Sequence, residues 1–253
     1  MSRRRLLALV LAPTLVLGLV VAGFVVVDAR ARQADVDVAD TAAARYDEQV
    51  SAFRSALVDD LEAVDATNPA DVAAVLEERR DDVPELEPAP ERGEAGSSAY
   101  GTARATQAAL AESLERLETV VESSRRARTF VLAANEALDL DPSSLAPQTF
   151  VTSGSPLRTQ LLPPLRTALA TFEAVEAPDD AAEARDAVRA ALQHVITEGE
   201  RLAARLDGGQ SGSFQYAEQY VAARSAVQQY ADGVRADLRE AIDGVVVPAT
   251  TVS

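Results

Sequence analysis

"YAEQYVAARSAVQQYADGVRADLREAI", residues 216–242, places Tyr216, Tyr220, Ala223, Val227, Tyr230, Val234, Leu238 and Ile242 at steps of three and four. At 3.6 residues per turn, that spacing gathers all eight on one face of an α-helix. Arg, Asp, Glu, Gln and small residues fill the remaining positions, so the opposite face is polar. The helix is expected to end near Gly244, and Pro248 opposes its continuation.

The same period recurs toward the N-terminus. "DGGQSGS" (207–213) separates this helix from one with the stripe Val188, Ala191, Val195, Leu202 and Leu206, which starts at Pro178-Asp179-Asp180. Leu157, Leu161, Leu165, Leu169, Phe172 and Val175 mark an earlier helix, which Pro163-Pro164 must kink or restart. Turn residues fill 138–156, after a helix of about forty residues from Ser98 to Leu138. Its seam is Leu110, Leu114, Leu117, Val121, Ser124, Val131 and Leu138.

The first exported helix is expected over Thr41–Ala66, on the stripe Tyr46, Val50, Phe53, Leu57, Leu61 and Val64. Asn68 and Pro69 then cap and open a short helix to about Arg80. Residues 81–96, "DDVPELEPAPERGEAG", combine three prolines, two glycines and six acids without an apolar period, which reads as an exposed acidic loop or flexible linker. No stretch alternates at period two. The expected fold class is therefore all-α: an elongated antiparallel helical bundle over 41–245, with about four long helices plus shorter pieces and a tail at 246–253.

The N-terminus carries a different signal. Arg3, Arg4 and Arg5 precede Leu6–Val27, an uncharged run that would rise about 33 Å as a helix, against a bilayer core of about 30 Å. It exceeds the apolar region of a cleaved signal peptide. The expectation is a single transmembrane signal-anchor at 6–27, a cytoplasmic stub at 1–5 and a juxtamembrane segment at 28–40. The arginines hold the stub inside, so the bundle lies outside the cell membrane. Ala29-Arg30-Ala31 is the alternative cleavage site, and its use would release the chain. Gly18 and Ala22 form one small-residue pair through which two such helices could approach.

Composition narrows the function. With formal net charge −16, the chain repels phosphate backbones and anionic lipid, which opposes a nucleic-acid role. The segment 59–94 alone holds thirteen acids against three arginines, so its charge favours cations or basic partners. Cysteine is absent, which removes disulfides, thiol catalysis and thiolate metal sites. Every basic residue besides His194 is arginine, the usage of a GC-rich bacterial genome.

Chemistry-bearing residues are few. His194 has Ala191, not glutamate, three positions earlier, which is unlike a di-iron bundle. Gly209-Gln210-Ser211-Gly212-Ser213 lacks the final glycine of a hydrolase elbow. Asp139, Asp141 and Ser143 begin like a calcium loop, but Ser144 and Phe150 occupy the positions where it needs glycine and glutamate. No enzyme, cofactor or metal site is expected. The candidate ligand or partner surface is Tyr216, Tyr220 and Tyr230 on the last helix, with Arg125, Arg126 and Arg128 on the long one. For both groups the plainer account is core packing and ion pairing.

Two functions compete. One is a structural or interaction subunit of the cell envelope, bound to another membrane or envelope protein or to a second copy of itself. The other is a sensory or ligand-binding bundle that signals through a partner subunit. In architecture alone, with no shared motif, the second is similar to the extracytoplasmic four-helix modules of bacterial chemoreceptors. Those receptors add a second spanning helix and a cytoplasmic output domain, and neither is expected here.

Overall fold

The computed structural model describes residues 3–145, 153–213 and 215–247, with residues 3–27, 144 and 145 traced through their backbone alone. The elements are α1 (Arg3–Glu62), α2 (Pro69–Arg79), α3 (Glu91–Gly96), α4 (Ser98–Leu138), α5 (Pro142–Leu145), α6 (Leu162–Glu173), α7 (Ala182–Asp207) and α8 (Ala217–Val246). Three further turns are helical: 3₁₀ at Arg80–Asp82 and Asp179–Ala181, and π at Leu157–Leu161. Among the described residues there is no strand, so the all-α class holds.

Long-range contacts divide the chain into two compact units. One comprises residues 1–60 and 77–114, the other 61–76 and 115–253.

In the first unit, α1 continues without a break through residues 28–40. Local chemistry explains the continuity. That stretch lacks Gly and Pro, and it is bridged by Arg32–Asp28, Gln33–Asp37 and Thr41–Asp37, each at i,i+4. Beyond it, Tyr46, Val50, Phe53 and Leu57 are buried, as their spacing requires. Among the described residues no helix is long and apolar enough to cross a membrane. The anchor expected at 6–27 lies outside the residues whose side chains are described.

Residues 81–96, expected as an exposed loop or flexible linker, comprise a loop at 83–90 and the short helix Glu91–Gly96. Val83–Pro90 is non-helical, as its prolines demand, yet Leu86 and Ala89 pack against Ala39, Ala42 and Tyr100. The Tyr100 hydroxyl reaches the Glu87 carbonyl and the Glu94 carboxylate, each at 3.2 Å. The Arg92 guanidinium pairs with Asp28 at 3.3 Å. Charge composition had suggested solvation, but a few apolar residues and one tyrosine suffice to strap the segment onto α1 and α4.

In the second unit, α4 from residue 115, together with α6, α7 and α8, encloses the larger core. Phe130 meets Phe172 and Tyr230 at ring centroid distances of 5.7 Å. Around them lie Leu157, Leu161, Leu165, Val188, Leu192, Val195, Ala223 and Val227. Pro163 and Pro164 lie in the first turn of α6, directly after the π turn, within a continuous helical run. Wider π spacing lets the chain lose the two N–H donors and clear the proline rings. Asn68 caps α2 by accepting from the Ala70 N–H at 3.2 Å. At the C-terminus, α8 passes Gly244 and closes at Val246.

Candidate functional site

From Leu117 to Ala134 the long helix α4 buries one residue per turn: Leu117, Val121, Ser124, Ala127, Phe130 and Ala134. Ser124 and Ala127, adjacent on this face, are too short to fill the space that leucine fills elsewhere. Opposite them, α8 presents Ala231 and Val234, and a groove opens between the helices.

One part of it has a volume of about 270 Å³, walled by Pro69, Val131, Ala231, Val234 and Leu238. Arg128 and Arg235 supply the only ionic groups in this lining. An adjoining cavity of about 340 Å³ shares Ser124, Ala127 and Val234, and is polar, with Arg116, Asp180, Tyr230 and Asp237. Ser124 is 3% exposed and lines both cavities. Arg128 donates to the Asn68 side-chain carbonyl through Nη1. Arg235 donates to Asp232 through Nη2 and to the Ala231 carbonyl through Nε. A guanidinium has five N–H donors, so each keeps several for another acceptor.

The three arginines proposed from sequence do not form one cluster. Arg125 pairs with Glu122 of its own helix at 3.9 Å. Arg126 lines a separate hollow with Thr129 and residues 175–179. Arg128 alone enters the groove.

The tyrosines also separate. Tyr216 donates to Asp141 at 2.9 Å, Tyr220 to the Leu140 carbonyl at 3.4 Å, and Arg224 to the Leu138 carbonyl at 2.9 Å. One face of α8 thus caps the end of α4, and these side chains are committed to the fold. Burial pushes the Tyr220 phenol up to about 12, with Tyr216 and Asp141 adding to the shift. Tyr230 lies on the wall of the polar cavity and donates to Asp180 at 3.2 Å. Burial raises its phenol first, and the Asp180 charge second.

The calcium-like start resolves as a turn. The Asp141 carboxylate accepts from the Ser143 hydroxyl, the Ser143 N–H and the Tyr216 hydroxyl, which together hold it below the usual carboxylate range. Asp139 faces Arg224 at 3.6 Å. The His194 Nε2 donates to the Gln215 carbonyl at 2.9 Å. Among the described residues no group of three or more His, Asp or Glu is placed to hold a metal ion.

Ser124 and Arg235 were not singled out as site residues in sequence. The available signal was the serine itself, a hydroxyl on a seam otherwise built of Leu and Val. Comparison with protein-family models, curated proteins and solved structures finds no match for this chain.

Proposed function

We propose that this chain is a membrane-anchored interaction subunit of the bacterial cell envelope, presenting its acidic helical units outside the cell. One observation carries the reading. Helix α1 runs unbroken from Arg3 to Glu62, and Arg92 already holds Asp28, the first residue after the apolar run Leu6–Val27. A spanning helix at 6–27 would then pass into the folded part without a spacer, and its movement or rotation would be transmitted rigidly. Such coupling suits a subunit that works against another membrane protein.

Topology is testable because the chain has no cysteine. Ser2→Cys and Ala29→Cys, each in the full chain, are exposed to a membrane-impermeant maleimide on intact cells. Labelling of Ala29→Cys alone, with Ser2→Cys labelled only after lysis, is the expected pattern. Recovery of the chain solely from culture fluid, beginning near Ala31 or Arg32, would sink the reading. Crosslinking and capture of the membrane-bound form then asks for a partner or a second copy. The groove between α4 and α8 favours the second reading, a ligand-binding bundle, which the same anchor could serve.

A further inference from the structure

We infer that the groove between α4 and α8 binds a small organic anion: an apolar body carrying one carboxylate. This stands apart from the anchor reading, because every lining residue belongs to the second compact unit.

Three observations point the same way. The walls are hydrocarbon from Pro69, Val131, Ala231, Val234 and Leu238, so the body of a ligand gains by leaving water. Both charged side chains in the lining are arginines, in a chain whose acids outnumber its basic residues 40 to 24. Each has uncommitted N–H donors, and paired guanidinium donors match the two oxygens of a carboxylate. Third, Ser124, a residue only 3% exposed, places a hydroxyl-bearing side chain in the lining. A hydroxyl can donate to a carboxylate oxygen, and such a charge-assisted bond is stronger than a neutral one. About 270 Å³ limits the occupant to a small molecule.

A cationic ligand is disfavoured by the two guanidinium groups. A purely apolar one would make no use of the arginines or of the Ser124 hydroxyl. Carboxylate on apolar body is the chemistry that uses all three features.

The test uses the purified full chain in a mild-detergent buffer, with that buffer alone as the blank, and phenylpropionate as probe by titration calorimetry. Phenylpropanol and phenylpropylamine have the same body with neutral and cationic heads. Expected is saturable one-to-one binding of the acid, at least about tenfold weaker binding of the alcohol and none of the amine. Arg128→Gln with Arg235→Gln should weaken the acid by about tenfold or more, the scale of a lost charge-assisted hydrogen bond, and leave the alcohol unchanged. Arg235→Gln alone is the second variant, since its intramolecular bonds stay within its own helix and its loss spares the Arg128–Asn68 contact. It should weaken the acid selectively while the thermal unfolding midpoint stays near wild type. No saturable binding, equal binding of acid and alcohol, or full acid affinity in both variants would overturn the proposal.

Discussion

Gly93 of α3 lies so close to Asp35 of α1 that a Cβ on the glycine would stand 2.1 Å from the Asp35 carbonyl oxygen. The contact is with backbone, which cannot rotate aside as a flexible side chain can. Gly93→Ala is therefore expected to lower stability by about 3 kcal/mol, at the upper end for overpacking. Gly101, in the first turn of α4, has open space where its Cβ would go. There alanine should raise stability by about 0.5–1 kcal/mol through helix propensity. Thermal unfolding followed by helical circular dichroism separates the two, and equal midpoints would refute the close approach.

Alkaline unfolding should report the clamp at the end of α4. Tyr220 has its phenol raised by burial to about 12 from an ordinary 10.0, so the fold favours the uncharged form. Its contribution is fully present below pH 10 and is lost as pH rises toward about 12. Tyr220→Phe loses the hydrogen bond to Leu140, worth about 1 kcal/mol or less at neutral pH, but it cannot ionise. Stability curves of wild type and variant should converge above pH 10. Parallel curves up to pH 12 would show that the phenol is not held in its neutral form.

Much of the fold was legible because helical periodicity reports directly on which face is buried. Val188, Ala191 and Val195 on α7 and Tyr220, Ala223 and Val227 on α8 are buried where their spacing put them. What escaped is tertiary in origin. Residues 83–97 have no period, and their docking depends on single contacts such as Tyr100 with Glu87, which composition cannot encode. The site was legible only in part. Arg128 enters the groove, but Arg125 and Arg126 diverge, since neighbours in sequence on a helix point 100° apart. Ser124 looked like ordinary seam packing until α8 placed Ala231 and Val234 opposite it.

Acid should weaken the join between α7 and the segment preceding α6. The Asp207 carboxylate accepts from the Gly154 N–H at 2.8 Å and pairs with Arg158, and both hold it below its ordinary 3.8. A depressed folded value means its stabilisation is present above pH 3.8 and is lost as pH falls through the folded value. Asp207→Asn should therefore lower the unfolding midpoint at neutral pH, and the gap from wild type should close in strong acid. A gap that is constant with pH would assign the loss to packing rather than to the charge.

Ser97 performs two tasks that pull its replacement in opposite directions. Its hydroxyl accepts from the Tyr100 N–H at 2.9 Å, capping α4, and donates to the Asp40 carboxylate of α1. Ser97→Ala loses both and should cost about 1–2 kcal/mol, the range for a lost N-cap. Aspartate is ordinarily as good a cap as serine, so Ser97→Asp would be harmless if capping were the whole role. Here it would set a second carboxylate against Asp40 within a side chain's reach, in a position only 6% exposed. Ser97→Asp is therefore expected to be at least as destabilising as Ser97→Ala at neutral pH. Asp40→Asn added to it should restore stability, since an amide can donate to the new carboxylate. A double-mutant cycle in urea measures the coupling. A coupling near zero would mean that the serine caps α4 without fastening it to α1.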